Sequence, residues 1–148
     1  MSLTIRKMKE SDLGPLYLLL SDPLVMKYME PPYSMEETEA FLKSCGLTDE
    51  PRIYAVDNEE GFAGYIIFHH YEDDSMEIGW VLYPKYWGRG YASELTIRLI
   101  AKGFTIRKAL IIECDPEQEI SKHIAEKHGF EHLGRKDGLD IYRLKPRL

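Results

Sequence analysis

A chain of 148 residues fits one domain, because domains cluster around roughly 100 to 150 residues and a chain of that size can bury most of its apolar surface. Its apolar share of 44% and charged share of 30% are those of an ordinary globular protein and exclude disorder. The formal charge of −6 argues against a nucleic-acid partner, which needs a basic face to neutralise phosphates, and mildly favours a cationic one such as an amine.

Residues 4–8 alternate apolar and charged side chains as a half-buried strand does, and from Ser11 a run containing Leu13, Leu16, Tyr17 and Leu20 follows helical spacing. The breakers Ser21-Asp22-Pro23 and Pro31-Pro32 enclose a short helical or irregular piece at 24–29. Ser34 followed three residues later by Glu37 is a capping-box pattern, which predicts a helix to about Lys43. From Arg52 the pattern becomes β-rich: runs at 53–56, 62–71 and 76–83, separated by turn clusters at 57–61 and 72–75, predict an antiparallel meander. The acidic tips Glu59, Glu60, Asp73 and Asp74 are read as solvated turn residues without a catalytic role.

After Pro84 a glycine-containing loop leads into a helix whose apolar positions Ala92, Leu95, Leu99, Ile100 and Gly103 share one face. A strand at 110–114 is broken by Asp115-Pro116, and a helix at 121–128 is ended by Gly129. Strands at 130–134 and 140–144 complete a single domain over residues 1–148. No run of about 18 apolar residues is present to span a bilayer. Residues 1–10 mix charge with apolar side chains, unlike a signal peptide, so the expectation is a cytoplasmic protein with no membrane partner. Cys45 and Cys114 lack metal-ligand spacing and are read as reduced thiols.

The chemistry concentrates around strand 76–83, loop 84–90 and the helix that follows. That sequence of elements aims free backbone N–H groups and a helix dipole at one spot, where an anion belongs. Gly88 and Gly90 let the backbone approach a phosphate closely and adopt positive φ, and Arg89 adds a cation. A Rossmann fingerprint fails because Ser93 stands where its third glycine or alanine is needed, and no Gly-Lys-Ser or Gly-Lys-Thr supports a Walker loop. Adjacent His69 and His70 point to opposite faces of a strand, and His123 and His128 miss the four-residue helical step. No metal site is therefore expected, and all five histidines are assigned structural or surface roles; the alternative is an imidazole near the acceptor groove that accepts a proton.

The segment GWVLYPKYWGRGYASEL at 79–95 resembles the acetyl-CoA-binding segment of the GNAT N-acetyltransferase superfamily. That pattern is Gln or Arg, two residues, Gly, one residue, then Gly or Ala; Gly90 and Ala92 match it, and Trp87 stands at the leading place. Downstream, ECDPEQEISKHIAEKHGF at 113–130 resembles the family's Asn-x-x-Ser segment and the helix ending in Gly-Phe: Ser121, Gly129 and Phe130 match, and Gln118 replaces the Asn. The segment SDPLVMKYM at 21–29 is similar to the early region of the ribosomal-protein N-terminal acetyltransferase (RimJ/RimL-like) branch.

The resemblance implies an α/β (α+β) fold, a mixed and mostly antiparallel central sheet of about six to seven strands with helices on both faces. Two central parallel strands would splay to admit pantetheine. Acetyl-CoA would be the cosubstrate, with no metal, and the acetyl group would pass to a primary amine of a small molecule or a protein N-terminus by direct attack in a ternary complex. Backbone groups of Val81 and Leu82 would pair with the pantetheine amides, and Gly88, Arg89, Gly90, Tyr91, Ala92 and Ser93 would wrap the pyrophosphate, with Gln118 also on the cofactor side.

Glu77 is the candidate base, acting directly or through water; the alternative is a solvent-facing strand glutamate. Ser121 is the candidate donor to the departing sulfur; the alternative is a helix N-cap. Ala125 occupies the place where many members carry an acidic tyrosine, which excludes that route. A non-catalytic acetyl-CoA-binding sensor or regulatory module is the alternative function. A homodimer is one assembly the resemblance allows, and the acceptor groove, expected at 24–34 and 136–140, carries no readable substrate code.

Overall fold

Arg6 closes the first strand because its guanidinium is held on two sides, donating to Asp57 at 2.7 Å and to both carboxylate oxygens of Asp12 at 2.9 Å. A computed structural model describes residues 2–147. Met1, which opens the amino-terminal stretch read above, and Leu148 lie outside the described residues. Strand β1 (Thr4–Arg6) pairs antiparallel with β2 (Ile53–Asn58), Thr4 opposite Asp57 and Arg6 opposite Ala55. It is shorter than the predicted 4–8: Met8 turns into the core, and the Lys9 amide donates to Asp12 at 2.8 Å to start a 3-10 turn at Glu10–Asp12.

Helix α1 (Leu13–Leu20) buries Leu16, Leu19 and Leu20, and α2 (Pro23–Met26) is capped by the Asp22 carboxylate, which accepts from the Leu24 amide at 2.9 Å. The capping box forms: the Glu37 amide donates to Ser34 Oγ at 3.1 Å, and the Ser34 amide to Glu37 Oε1 at 2.9 Å. Helix α3 (Met35–Phe41) then widens into a π-helical turn, Leu42–Gly46, where the ordinary helix was predicted to run to Lys43. The Leu47 amide donates to the Leu42 carbonyl at 2.9 Å, the five-residue step of that turn, and the Arg52 amide donates to the Cys45 carbonyl at 2.8 Å.

Strands β3 (Gly61–His70) and β4 (Ser75–Leu82) follow, β2 and β3 pairing antiparallel with a register shift at Val56/Asp57. Later come α4 (Tyr91–Gly103), β5 (Ala109–Cys114), α5 (Glu119–Lys127), β6 (Glu131–Lys136) and β7 (Leu139–Leu144). The seven strands are ordered β1-β2-β3-β4-β5-β7-β6. This is the mixed, mostly antiparallel α/β architecture expected from the sequence.

The chain divides into two compact units. The first holds the chain up to Ile67 together with Trp80–Arg89. Its core gathers Leu16, Leu19, Leu20, Met26, Ile53, Tyr65 and Val81, so the amphipathic face of α1 and the inward face of β2 and β3 meet as their periodicities require.

The second unit holds Phe68–Gly79 and the chain from Gly90 onward. There α4 buries Tyr91, Leu95, Thr96, Leu99 and Gly103; Ala92 and Ile100, assigned to that face from sequence, are only half-buried. The difference lies in Thr96, which is tolerated inside because its hydroxyl donates to the Ala92 carbonyl at 2.7 Å. Strands β4 and β5 pair in parallel, Ser75 with Ala109, Met76 with Leu110 and Glu77 with Ile111. The ladder stops there, although both strands continue. Helix α5 ends with the Gly129 amide on the Glu126 carbonyl at 3.1 Å and the Phe130 amide on the Ala125 carbonyl at 2.9 Å, a Schellman closure.

Candidate active site

In the first unit, β4 runs into a 3-10 turn at Pro84–Tyr86, closed by the Tyr86 amide on the Tyr83 carbonyl at 2.9 Å. The Trp87 amide donates to the Pro84 carbonyl at 3.1 Å, and the Trp87 indole Nε1–H donates back to the Leu82 carbonyl at 2.9 Å. The residue that departs from the family pattern therefore braces the loop against the end of the strand. Arg89 rests over the Tyr86 ring, 5.7 Å from its centre, and the Tyr86 hydroxyl donates to Glu60 at 3.0 Å. Glu60 is exposed at its turn, as expected, and also anchors that hydroxyl. Of the residues proposed from sequence, Val81, Leu82, Gly88 and Arg89 belong to this unit.

Gly88 and Gly90 both take left-handed backbone, at φ of 72° and 83°. Placing a Cβ on either would meet no atom within 4 Å, so what requires glycine here is the conformation, and the space beside it is open. Gly90 is the N-cap of α4 in the second unit and has no side chain with which to cap it. The first bond of the helix ladder runs from the Glu94 amide to the Gly90 carbonyl at 3.1 Å, so the Ala92 and Ser93 amides are not used by that ladder. The thirteen-residue helix adds its dipole at the same end. Open space, positive φ and unspent donors at a helix start suit the pyrophosphate of a coenzyme.

Within the second unit, α5 delivers two bases to the first turn of α4. Lys127 Nζ donates to Ser93 Oγ at 3.2 Å, and His128 Nε2 lies 3.0 Å from the same oxygen. Burial, then the charge of Lys127, holds the His128 imidazole below its usual pKa. A neutral imidazole completes a consistent chain in which Lys127 donates to Ser93 and the Ser93 hydroxyl donates to His128.

Glu77, on β4, pairs with His69, on β3, through Oε1 and Nε2 at 3.1 Å. The histidine's Nδ1 lies 2.8 Å from the His70 carbonyl. Nearby, the Tyr71 hydroxyl donates to Glu113 in a short hydrogen bond; burial first, then that carboxylate, raises the phenol's pKa. Glu77 is therefore neither a solvent-facing glutamate nor alone.

Ser121 is the third residue of α5, because the helix begins at Glu119 with Gln118 as its N-cap residue. The rival role of Ser121 as the cap is overturned: the Glu117 amide on Asp115 Oδ1 at 2.9 Å and the Gln118 amide on the Asp115 carbonyl at 2.9 Å turn the chain into the helix earlier than the predicted 121. Cys114 is buried on β5, and burial pushes its thiol up to about 11. Among the described residues no group of three or more His, Cys, Asp or Glu side chains is arranged to hold a metal, and no helix is long and apolar enough to cross a membrane.

Sequence reasoning gave His69 and His128 structural or surface roles and did not single out Lys127. The hairpin register sets His69 beside Glu77: the Tyr71 amide donates to the Ser75 carbonyl, and His69 and Glu77 lie two residues before and after that pair. No local signal marked Lys127 and His128, since their meeting with Ser93 depends on how α5 packs.

A family model described as the acetyltransferase (GNAT) domain matches residues 2–131. The chain is 33% identical to the uncharacterised N-acetyltransferase YnaD of Bacillus subtilis, over 89% of this chain and 81% of that protein. A GNAT-family acetyltransferase from Bacillus anthracis has a similar crystal structure, with a TM-score of 0.82, 28% identity and coverage of 98% of this chain and 95% of the other. The fold is also shared with a spermidine N-acetyltransferase from Vibrio cholerae, solved with CoA and spermine, at a TM-score of 0.78, 24% identity and coverage of 95% and 92%.

Proposed function

Because this chain belongs to the GNAT acetyltransferase family and is an acetyl-CoA-dependent acetyltransferase, we propose that it acetylates a primary amine by direct attack, with residues 1–148 working as one catalytic domain. The observation that carries the donor site is left-handed Gly90 at the N-cap of α4, ahead of the Ala92 and Ser93 amides. The Ala92 and Ser93 amides, with Gly88, Arg89, Gly90 and Tyr91 around them, hold the pyrophosphate. Backbone groups of Val81 and Leu82 hold the pantetheine arm, and Gln118 stands at the start of α5. Bound acetyl-CoA supplies an activated thioester carbonyl as the acetyl donor.

An amine attacks only when unprotonated, and Glu77 is the group that takes the ammonium proton. Ser121, in the first turn of α5, donates to the departing sulfur, where the positive end of the helix also favours negative charge. The net charge of −6 favours a cationic acceptor. The likeness of residues 21–29 to the RimJ/RimL-like branch supports a protein N-terminus or a small-molecule amine as that acceptor.

The test is calorimetric binding of CoA together with thiol release across polyamines, peptides, aminoglycosides and amino acids. Gly90→Glu places bulk and negative charge at the helix start and is expected to abolish CoA binding, whereas Gly90→Ala carries only the left-handed backbone penalty, roughly 1 to 2 kcal/mol. Full affinity in Gly90→Glu would sink the loop assignment. Glu77→Gln is expected to cost more turnover at neutral than at alkaline pH, where the amine is already free. An unchanged pH profile would remove Glu77 as the base.

A further inference from the structure

Leu110 on β5 faces α4, where a Cβ on Gly103 would come within 2.5 Å of its side chain. Its neighbours Ala109 and Ile111 therefore point to the opposite face of the sheet. Register carries that face across three strands of the second unit. Ser75 and Glu77 on β4 stand opposite Ala109 and Ile111, and Arg143 on β7 stands opposite Ile111 from the other side. Glu77, Ile111 and Arg143 thus form one row, with two strand spacings, roughly 10 Å, between the glutamate and arginine backbones.

A groove of about 950 Å³ lies on this face, lined by Ser75, Ala109, Ile111, Ile141 and Arg143 among others. Five basic and three acidic residues line it, in a chain whose formal charge is −6. The local field is therefore the reverse of the net charge, and a bound molecule meets the local one. Two of the five cations are already engaged, Lys136 by Glu72 at 2.7 Å and Arg135 by Asp140 at 3.2 Å. Arg143 is half-buried and, among the described residues, makes no hydrogen bond or ion pair. Glu131, opposite it on β6, is exposed and forms no ion pair with it, and Glu113, two residues beyond Ile111, accepts from the Tyr71 hydroxyl. A guanidinium partly out of water and without an anion leaves a planar fork of donors open to a carboxylate.

We propose that this groove takes the acceptor and that the acceptor is a free amino acid. Arg143 holds its carboxylate, its amine is presented to Glu77, and its side chain lies on Ile111, Ile141 and Leu133, of which the first two are buried and the third is 44% exposed. This assignment rests on Glu77 being the base. The ammonium gives one proton to Glu77, its nitrogen bonds the acetyl carbon as the carbon–sulfur bond breaks, and the second proton lost on forming the amide ends on the leaving sulfur. Arg143 sets specificity from the end of the acceptor that does not react. An amine without an anion leaves the guanidinium unpaired in the groove and is the poorer acceptor.

Thiol release is measured for free amino acids, each against its own amide, with spermidine as the cationic rival. The best acceptor should be a free amino acid, with kcat/KM roughly tenfold or more above its amide and above spermidine. The amide has the less basic amine, so a preference for the acid cannot come from amine ionisation. A best acceptor without an anionic group overturns the proposal. Arg143→Gln should bring acid and amide to within about twofold of each other, with KM for acetyl-CoA and melting temperature unchanged, and Arg143→Lys should recover part of the preference. Equal loss on acid and amide makes Arg143 a structural prop and overturns it. Calorimetry of N-acetyl amino acids against their amides, on CoA-loaded protein, reads the carboxylate site without any base. The acids should bind more tightly, and Arg143→Gln should remove the difference; no difference in the wild type overturns the proposal even if Glu77→Gln is inactive. If Glu77→Gln keeps full turnover while Arg143→Gln removes that difference, the base reading fails and the carboxylate site stands.

Discussion

The indole of Trp87 donates to the Leu82 carbonyl at 2.9 Å, tying the loop that enters α4 to the last residue of the strand before it. In the family pattern that position is polar; here an aromatic N–H does the bracing. Trp87→Phe keeps the ring and removes the donor. About 1 kcal/mol for one hydrogen bond predicts roughly fivefold weaker CoA binding by calorimetry with kcat unchanged. Equal affinity would show that the brace does not shape the loop.

Gly64 on β3 lies against the same strand. A Cβ there would come within 2.1 Å of the Val81 carbonyl oxygen, and its φ of 155° is one that side chains rarely adopt. The obstacle is backbone, which cannot rotate away, so Gly64→Ala should cost about 2 to 3 kcal/mol in urea unfolding. It should also weaken CoA binding, since Val81 is on the proposed pantetheine strand.

Arg6 and Asp12 set an acid limit. Burial pushes the Asp12 carboxyl up, but the Arg6 and Lys9 hydrogen bonds outweigh it and hold its pKa below the usual carboxylate value. A carboxyl with a lowered folded pKa adds stability that is complete above its unfolded value and lost as pH falls through the folded one. Thermal unfolding should therefore show melting temperature falling below about pH 4. Arg6→Ala leaves a buried carboxylate without its cation and should cost about 3 kcal/mol at neutral pH.

Ser121 can be tested cleanly because it does not cap α5. Alanine at the third helical position has good propensity, so Ser121→Ala should stay within about 0.5 kcal/mol of wild-type stability. A large loss of kcat with an unchanged melting temperature would then report on the leaving sulfur. Unchanged kcat would remove Ser121 from the chemistry.

Cys114, buried and with its thiol pushed up to about 11, should not react with a disulfide reagent at neutral pH. Native protein is expected to titrate one thiol, Cys45, and unfolded protein two. Fast labelling of Cys114 in the native state would mean that β5 opens readily.

The order of strands and helices, the Ser34–Glu37 capping box and the glycine loop before α4 were legible in the amino-acid sequence. Each depends on contacts within a few residues: a side-chain oxygen reaching an amide three positions on, a backbone angle only glycine takes easily, an apolar face repeating at the helical period. Boundaries were less legible. β1 ends at Arg6, which bonds Asp57, 51 residues away, and α3 passes into a π-helical turn beside the Arg52–Cys45 bond.

By itself, then, the sequence determined the family, and it singled out a glycine loop and two candidate groups for proton transfer. Only the tertiary structure decided that Glu77 is paired with His69, that Ser93 meets Lys127 and His128 across 34 and 35 positions, and that Ser121 sits inside its helix. These relations come from strand register and helix packing. A shift of one residue in either would turn the same side chains to another face, so no local pattern can specify them.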